Sequence, residues 1–224
     1  SREEEITLAK KIEITRKRFR RTLLACDYAM RQAARILHKV QRGALPFDRT
    51  IKVSLTERLT KEQILARMPH NLPTLFDLRR RDQKDFATLI SKSTSTEDYR
   101  AARKRFMHCR AKKLTLVEEL SLRTRRLQPM MKQLEEMSLR MDQMRRKLQD
   151  ENGKGLSDQE RSSLRRNLCH LIMQTLESPT SLRNRCQTLR HQFNEYEQVK
   201  RQLSSGNLRL VVSIAKKYRN RGLS

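Results

Sequence analysis

Between Leu127 and Leu148 the apolar residues recur in strict 3-4-3-4-3-4 order: Leu127, Met130, Leu134, Met137, Met141, Met144 and Leu148. Leu116 and Leu120 share that phase, with Arg123 interrupting it. On an α-helix such positions form one narrow seam, and a seam of this kind leaves water only against a partner helix. Methionine is flexible and polarizable, so this seam packs adaptably rather than rigidly. Asn152-Gly153-Lys154-Gly155 supplies a turn, and Ser157 with Glu160 has capping-box spacing for the next helix. Leu164, Leu168, Leu171 and Ile172 of that helix can return antiparallel along the seam.

The rest of the chain favours helices too. Its 224 residues include only five Gly and five Pro and no Trp, and they are rich in Leu, Arg, Lys, Glu, Gln and Met. No alternating strand pattern runs longer than Thr50-Ile51-Lys52-Val53-Ser54-Leu55. With aromatics at 4% and hydrophobics at 36%, a thick globular core is not expected. The expected fold is all-α, an elongated helical bundle with an antiparallel coiled-coil-like hairpin.

Local signals divide this bundle. Ser1 and Glu4 have capping-box spacing, and Glu3, Glu4 and Glu5 suit the positive end of a helix dipole. Ile12, Phe19, Leu23, Cys26, Met30, Ala33, Leu37 and Val40 then read as one stripe on one helix, ended by Gly43 and Pro46. After a connector over residues 43–59, Thr60 and Gln63 cap a short helix that Pro69 should stop. Pro73 and Thr74 should open another, broken by Ser91 to Ser95. Thr96 begins a long helical run in which Pro129 places a bend or boundary near Gln128. Ser178-Pro179-Thr180 should kink or end the return helix. A further stripe, Leu182 to Leu203, then runs to Ser204-Ser205-Gly206.

Charge narrows the partners. Lys and Arg number 51 against 25 Asp and Glu, a formal net charge of +26, which favours a polyanion. The excess is uneven: residues 116–205 carry 17 basic against 12 acidic, whereas residues 206–224 carry 5 against 0. The Arg79-Arg80-Arg81 and Arg103-Lys104-Arg105 runs could touch a polyanion, although such runs are more often solvated faces.

Catalytic chemistry is not written here. There is no GxGxxG, P-loop or HExxH motif, and five scattered glycines cannot build a phosphate cradle. Cys26, Cys109, Cys169 and Cys186 form no short pair. His108-Cys109 and Cys169-His170 are helix neighbours about 100° apart, which cannot chelate together. Structural thiols, no metal and no cofactor are expected. With no signal peptide or membrane span in sight, the expected location is the reducing cytoplasm. The chain reads as a binding protein rather than an enzyme.

The residues from Gly206 to Ser224 are the most specific. As a helix they place Leu208, Val211, Val212, Ala215 and Tyr218 on one broad face, widened by Leu210 and Ile214. Arg209, Ser213, Lys216 and Asn220 fall on the opposite strip, with Lys217 at its edge. A face so wide is expected to be buried against neighbouring helices. Asn207-Leu208-Arg209-Leu210-Val211-Val212-Ser213-Ile214-Ala215-Lys216-Lys217-Tyr218-Arg219-Asn220-Arg221-Gly222-Leu223-Ser224 closely resembles the opening of region 2.1 in primary sigma factors of the sigma-70 family, the promoter-recognition subunits of bacterial RNA polymerase. Ser1-Arg2-Glu3-Glu4-Glu5-Ile6 and Leu8-Ala9-Lys10-Lys11-Ile12-Glu13 resemble the helix start of region 1.2 in the same family, in the same order. Gly206 departs from the helix former expected at its position.

The resemblance implies a piece of such a sigma factor, with a region 1.2-like helix over residues 1–42, a helical insertion over residues 43–205, and the start of region 2.1 over residues 206–224. Its implied partners are core RNA polymerase and promoter DNA, with no membrane contact and a monomeric chain. The first and last helices should lie side by side, Leu8, Ile12 and Phe19 burying against Val211 and Ala215. Lys216, Lys217, Arg219 and Arg221 would donate to DNA phosphates, although an exposed basic helix end accounts for them equally well. Two rivals share parts of the pattern. A basic helical nucleic-acid-binding protein of another kind shares the charge. A coiled-coil scaffold or dimerisation module shares the Leu127–Leu148 seam.

Overall fold

The computed structural model describes residues 2–53, 59–149 and 157–218. Eight helices are found among these residues: α1 (Arg2–Leu24), α2 (Asp27–Gln41), α3 (Phe47–Thr50), α4 (Lys61–Ile90), α5 (Thr96–Glu118), α6 (Thr124–Gln149), α7 (Asp158–Thr175) and α8 (Pro179–Lys217). The chain is all-α, with no strand among the described residues. The alternating Thr50–Leu55 segment yields only an isolated antiparallel bridge, Ile51 to Leu122, and its later residues lie outside those described. The chain divides into two compact units, residues 1–20 with 187–224, and residues 21–186.

In the larger unit α2 is central, packing on α4, α5, α6 and α7. Its inner face carries Ala29, Ala33 and Ala34 beside Met30, Leu37 and Val40, all buried. Small alanines let neighbouring helices approach closely, while each buried Met, Leu or Val contributes about 1.5–3 kcal/mol of apolar transfer. α2 ends in a hydrogen-bonded cap in which Ala44 N–H donates to the Lys39 carbonyl at 2.8 Å and Gly43 N–H to that of Val40 at 3.0 Å. Gly43 takes φ +72°, the left-handed conformation this Schellman motif requires.

The single helix expected from residue 1 to residue 42 is in fact two. Cys26 adopts extended backbone (φ −81°, ψ 132°) as the N-cap of α2. The break places Asp27 at the first position of α2, where Arg79 binds its carboxylate through Nε at 3.1 Å and Nη2 at 2.9 Å. Lys113 Nζ lies 3.2 Å from the same carboxylate and 2.5 Å from Asp82. A buried ionic network between three helices thus overrides a continuous apolar stripe. Burial raises the Asp82 carboxyl above its ordinary range despite the Lys113 ammonium beside it.

Two expected helices between Thr60 and Ile90 are instead one, with both prolines inside. Pro69 and Pro73 are one turn apart and both exposed, as is Leu65 one turn earlier. On this exposed side of the helix, water can satisfy the carbonyls they deprive of donors without breaking the helix. The capping boxes expected at Thr60–Gln63 and Ser157–Glu160 are both formed.

The long run from Thr96 divides at Glu119–Arg123, upstream of the boundary expected near Gln128, and Pro129 is accommodated within α6. Arg123, which interrupts the seam, is tied elsewhere: its N–H donates to the Thr50 carbonyl at 2.9 Å and its Nε to that of Ile51 at 2.9 Å. Ser121 meets this turn at φ 49°.

The seam itself is buried at Leu127, Met130, Leu134, Met137 and Met141, and half-buried at Met144 and Leu148. α7 packs on α6, so the expected hairpin forms, although the turn at residues 152–155 lies outside the described residues. α7 covers only part of the seam. α2 shares it, and Arg183 of α8 grips Asp142 of α6 with contacts of 2.7 and 2.5 Å.

In the smaller unit the α1 and α8 segments meet at Phe19 and Phe193, whose ring centroids are 5.3 Å apart. Phe19, Leu189, Tyr196 and Val199 are buried there. Neither Ser204-Ser205-Gly206 nor the expected boundary at residue 206 interrupts α8, which runs unbroken to Lys217.

Candidate nucleic-acid interface

Where α8 passes Gly206 its environment changes. Upstream, Val199 is 3% exposed; downstream, Leu208 is 63%, Val211 59%, Val212 46%, Ile214 46% and Tyr218 49% exposed. Ala215 is exposed as well. The broad apolar face expected to be buried is open, and the expected burial of Leu8, Ile12 and Phe19 against Val211 and Ala215 is not found. Phe19 is buried beside Phe193 instead, and Leu8 and Ile12 are half-buried.

Lys216 and Lys217 sit in the last turn of α8, both exposed and making no ion pair among the described residues. Cations at a helix C-terminus are favoured by the dipole, by about 0.3–1 kcal/mol each at an exposed site. That accounts for their stability without demanding a ligand. It also leaves their ammonium groups fully available to an anion. Arg209 on the same strip is exposed. Arg219 and Arg221, the other two residues expected to bind nucleic acid, lie outside the described residues.

The interior basic runs resolve differently. Arg79 is consumed by Asp27, Arg80 pairs with Asp77 at 2.9 Å, and Arg105 with Asp85 at 2.8 Å. Arg81, Arg103 and Lys104 remain exposed. These runs are therefore mostly fastenings and solvated faces. Sequence reasoning missed the Asp27–Arg79–Lys113–Asp82 network, because its members are scattered over three helices. It equally missed Glu177, which is 3% exposed between Arg185, at 2.6 Å, and Arg110, at 3.7 Å.

The thiols offer no reactive centre of the buried kind. Burial pushes Cys26 up to about 12 and Cys186 up to about 11, and raises Cys109 too. Cys26 donates weakly to the Thr175 carbonyl at 3.6 Å. Only Cys169 is exposed. Among the described residues no three His, Cys, Asp or Glu side chains gather to hold a metal ion, and no helix is long and apolar enough to cross a membrane. No protein-family model and no curated protein matches the sequence.

Proposed function

We propose that this chain belongs to a primary-type sigma factor, directing bacterial RNA polymerase to promoters at transcription initiation. The observation that carries the reading is the segment from Asn207 to Ser224, with its likeness to region 2.1, and the exposed two-faced helix on which its described residues lie. An uncovered apolar face beside unpaired lysines suits a helix that meets protein on one side and a phosphate backbone on the other. The rival scaffold reading loses its main support, because the Leu127–Met141 seam is already filled by helices of the same chain. In this reading α3 to α7 and the first part of α8 form the insertion between the two family regions. No catalytic role is assigned to it.

Lys216, Lys217, Arg219 and Arg221 supply charge to phosphates rather than readings of bases. Binding to single-stranded DNA should therefore weaken by orders of magnitude between roughly 50 and 200 mM salt, with little preference for a promoter-like strand over a scrambled one. Replacing all four with Ala should flatten the salt slope by up to about four charges' worth in a fluorescence titration. An unchanged slope would remove these residues from the interface. Tight, salt-resistant discrimination between the two strands would place base readout within this chain and overturn the assignment of roles.

A further inference from the structure

We propose that the cleft walled by α4, α5, α7 and the start of α8 binds a small organic anion, a carboxylate carried on a flat aromatic body. The inference is independent of the sigma-factor reading and concerns the larger unit alone. The cleft has a volume of about 480 Å³, within the usual range of small-molecule sites. Its floor is the Phe86, Phe106 and Leu176 cluster, with the two rings 5.9 Å apart. Ile90 and Tyr99 line it while remaining 47% and 42% exposed, so apolar and aromatic surface is left to water there.

The charge in this cleft is unbalanced. Glu177 is its one carboxylate, and its side chain is 1% exposed. Arg185 Nε donates to one of its oxygens at 2.6 Å and Ser181 Oγ to the other at 3.0 Å. Arg110 lies 3.7 Å from Glu177, too far for a hydrogen bond, and its guanidinium donates none among the described residues. That guanidinium stacks over Phe106, 4.8 Å from the ring centroid, with its side chain 19% exposed. Arg165, exposed on α7, adds a second cation to the lining. A half-buried guanidinium with idle donors, fixed against an aromatic floor, is a planar receptor for a carboxylate. The adjoining apolar walls select an anion with a flat apolar body over a small hydrated one.

Cys169 lines the same cleft and is the one exposed thiol, Cys26, Cys109 and Cys186 being buried. Its alkylation by iodoacetamide, followed by mass spectrometry, therefore reports occupancy. The probes are 2-naphthoate, its neutral analogue 2-naphthamide, and inorganic phosphate, each with the wild-type chain. We expect 2-naphthoate to slow Cys169 alkylation at saturation, 2-naphthamide to need about tenfold higher concentration for equal protection, and phosphate to protect little. Arg110→Gln should bring the naphthoate and naphthamide curves together. The proposal is overturned if naphthoate gives no protection, if the neutral analogue protects at the same concentration, or if phosphate protects as well as naphthoate. The wild-type comparison decides the matter even if Arg110→Gln fails to fold.

Discussion

Gly206 shows how much one residue's surroundings matter. It lies inside α8, and a Cβ built there meets nothing within 4 Å. Glycine in a helix interior is worse than alanine by about 0.5–1 kcal/mol, chiefly through unfolded-chain entropy. Gly206→Ala should therefore raise stability by up to about that amount wherever α8 melts with the rest of its unit. Local amide exchange across residues 200–215 would detect it. Faster exchange in the variant would mean that α8 does not run through this position. Asp142 supplies a second residue-scale case. The Arg183 guanidinium holds its carboxyl below the ordinary value of 3.8. The folded state thus binds that proton less readily than the unfolded one, so the contribution is present above about pH 4 and lost as the pH falls further. Asp142→Asn should lower the melting temperature at pH 7, and the gap should narrow as the pH falls below about 4. A gap that does not narrow on acidification would show that the loss is of packing rather than of charge.

Among the elements, α6 carries the clearest message from sequence to structure. Its heptad spacing, the capping box at Ser157 and the helical composition suffice to place an antiparallel neighbour, and α7 occupies that place. Met141 is wholly buried and Met137 nearly so. Met137→Asp with Met141→Asp should lower unfolding free energy by about 3 kcal/mol or more, read by chemical denaturation, because two apolar side chains become unpaired buried charges. An unchanged transition would mean the seam faces water. Element boundaries were harder to read, for physical reasons. Pro69 and Pro73 look like helix stops, yet both lie on the exposed side of one continuous helix. Cys26 looks like a stripe residue, yet Asp27 is drawn to Arg79 and Lys113 from other helices. Nothing local to residues 20–30 encodes partners found fifty or more positions away. The candidate interface divides the same way: the lysines of the last turn and the basic strip are legible in the order of residues. The exposure of the face from Leu208 to Tyr218 is decided by what packs against it, which periodicity leaves open.

For the whole molecule, the function proposed above has the chain take part in RNA polymerase assembly, with the open face of α8 meeting protein. Val211 and Val212 are 59% and 46% exposed, so charged substitutions there should leave the fold intact. The most direct measurement is a competition experiment on bacterial core RNA polymerase, with the chain carrying a dye at Cys169 and anisotropy as the readout. We expect saturable binding, weaker than that of a complete primary sigma factor, displaced by that factor, and lost in Val211→Asp with Val212→Asp at an unchanged melting temperature. Binding to core polymerase that a complete sigma factor does not displace, or that the double substitution leaves intact, would contradict the claim, as would the absence of any binding.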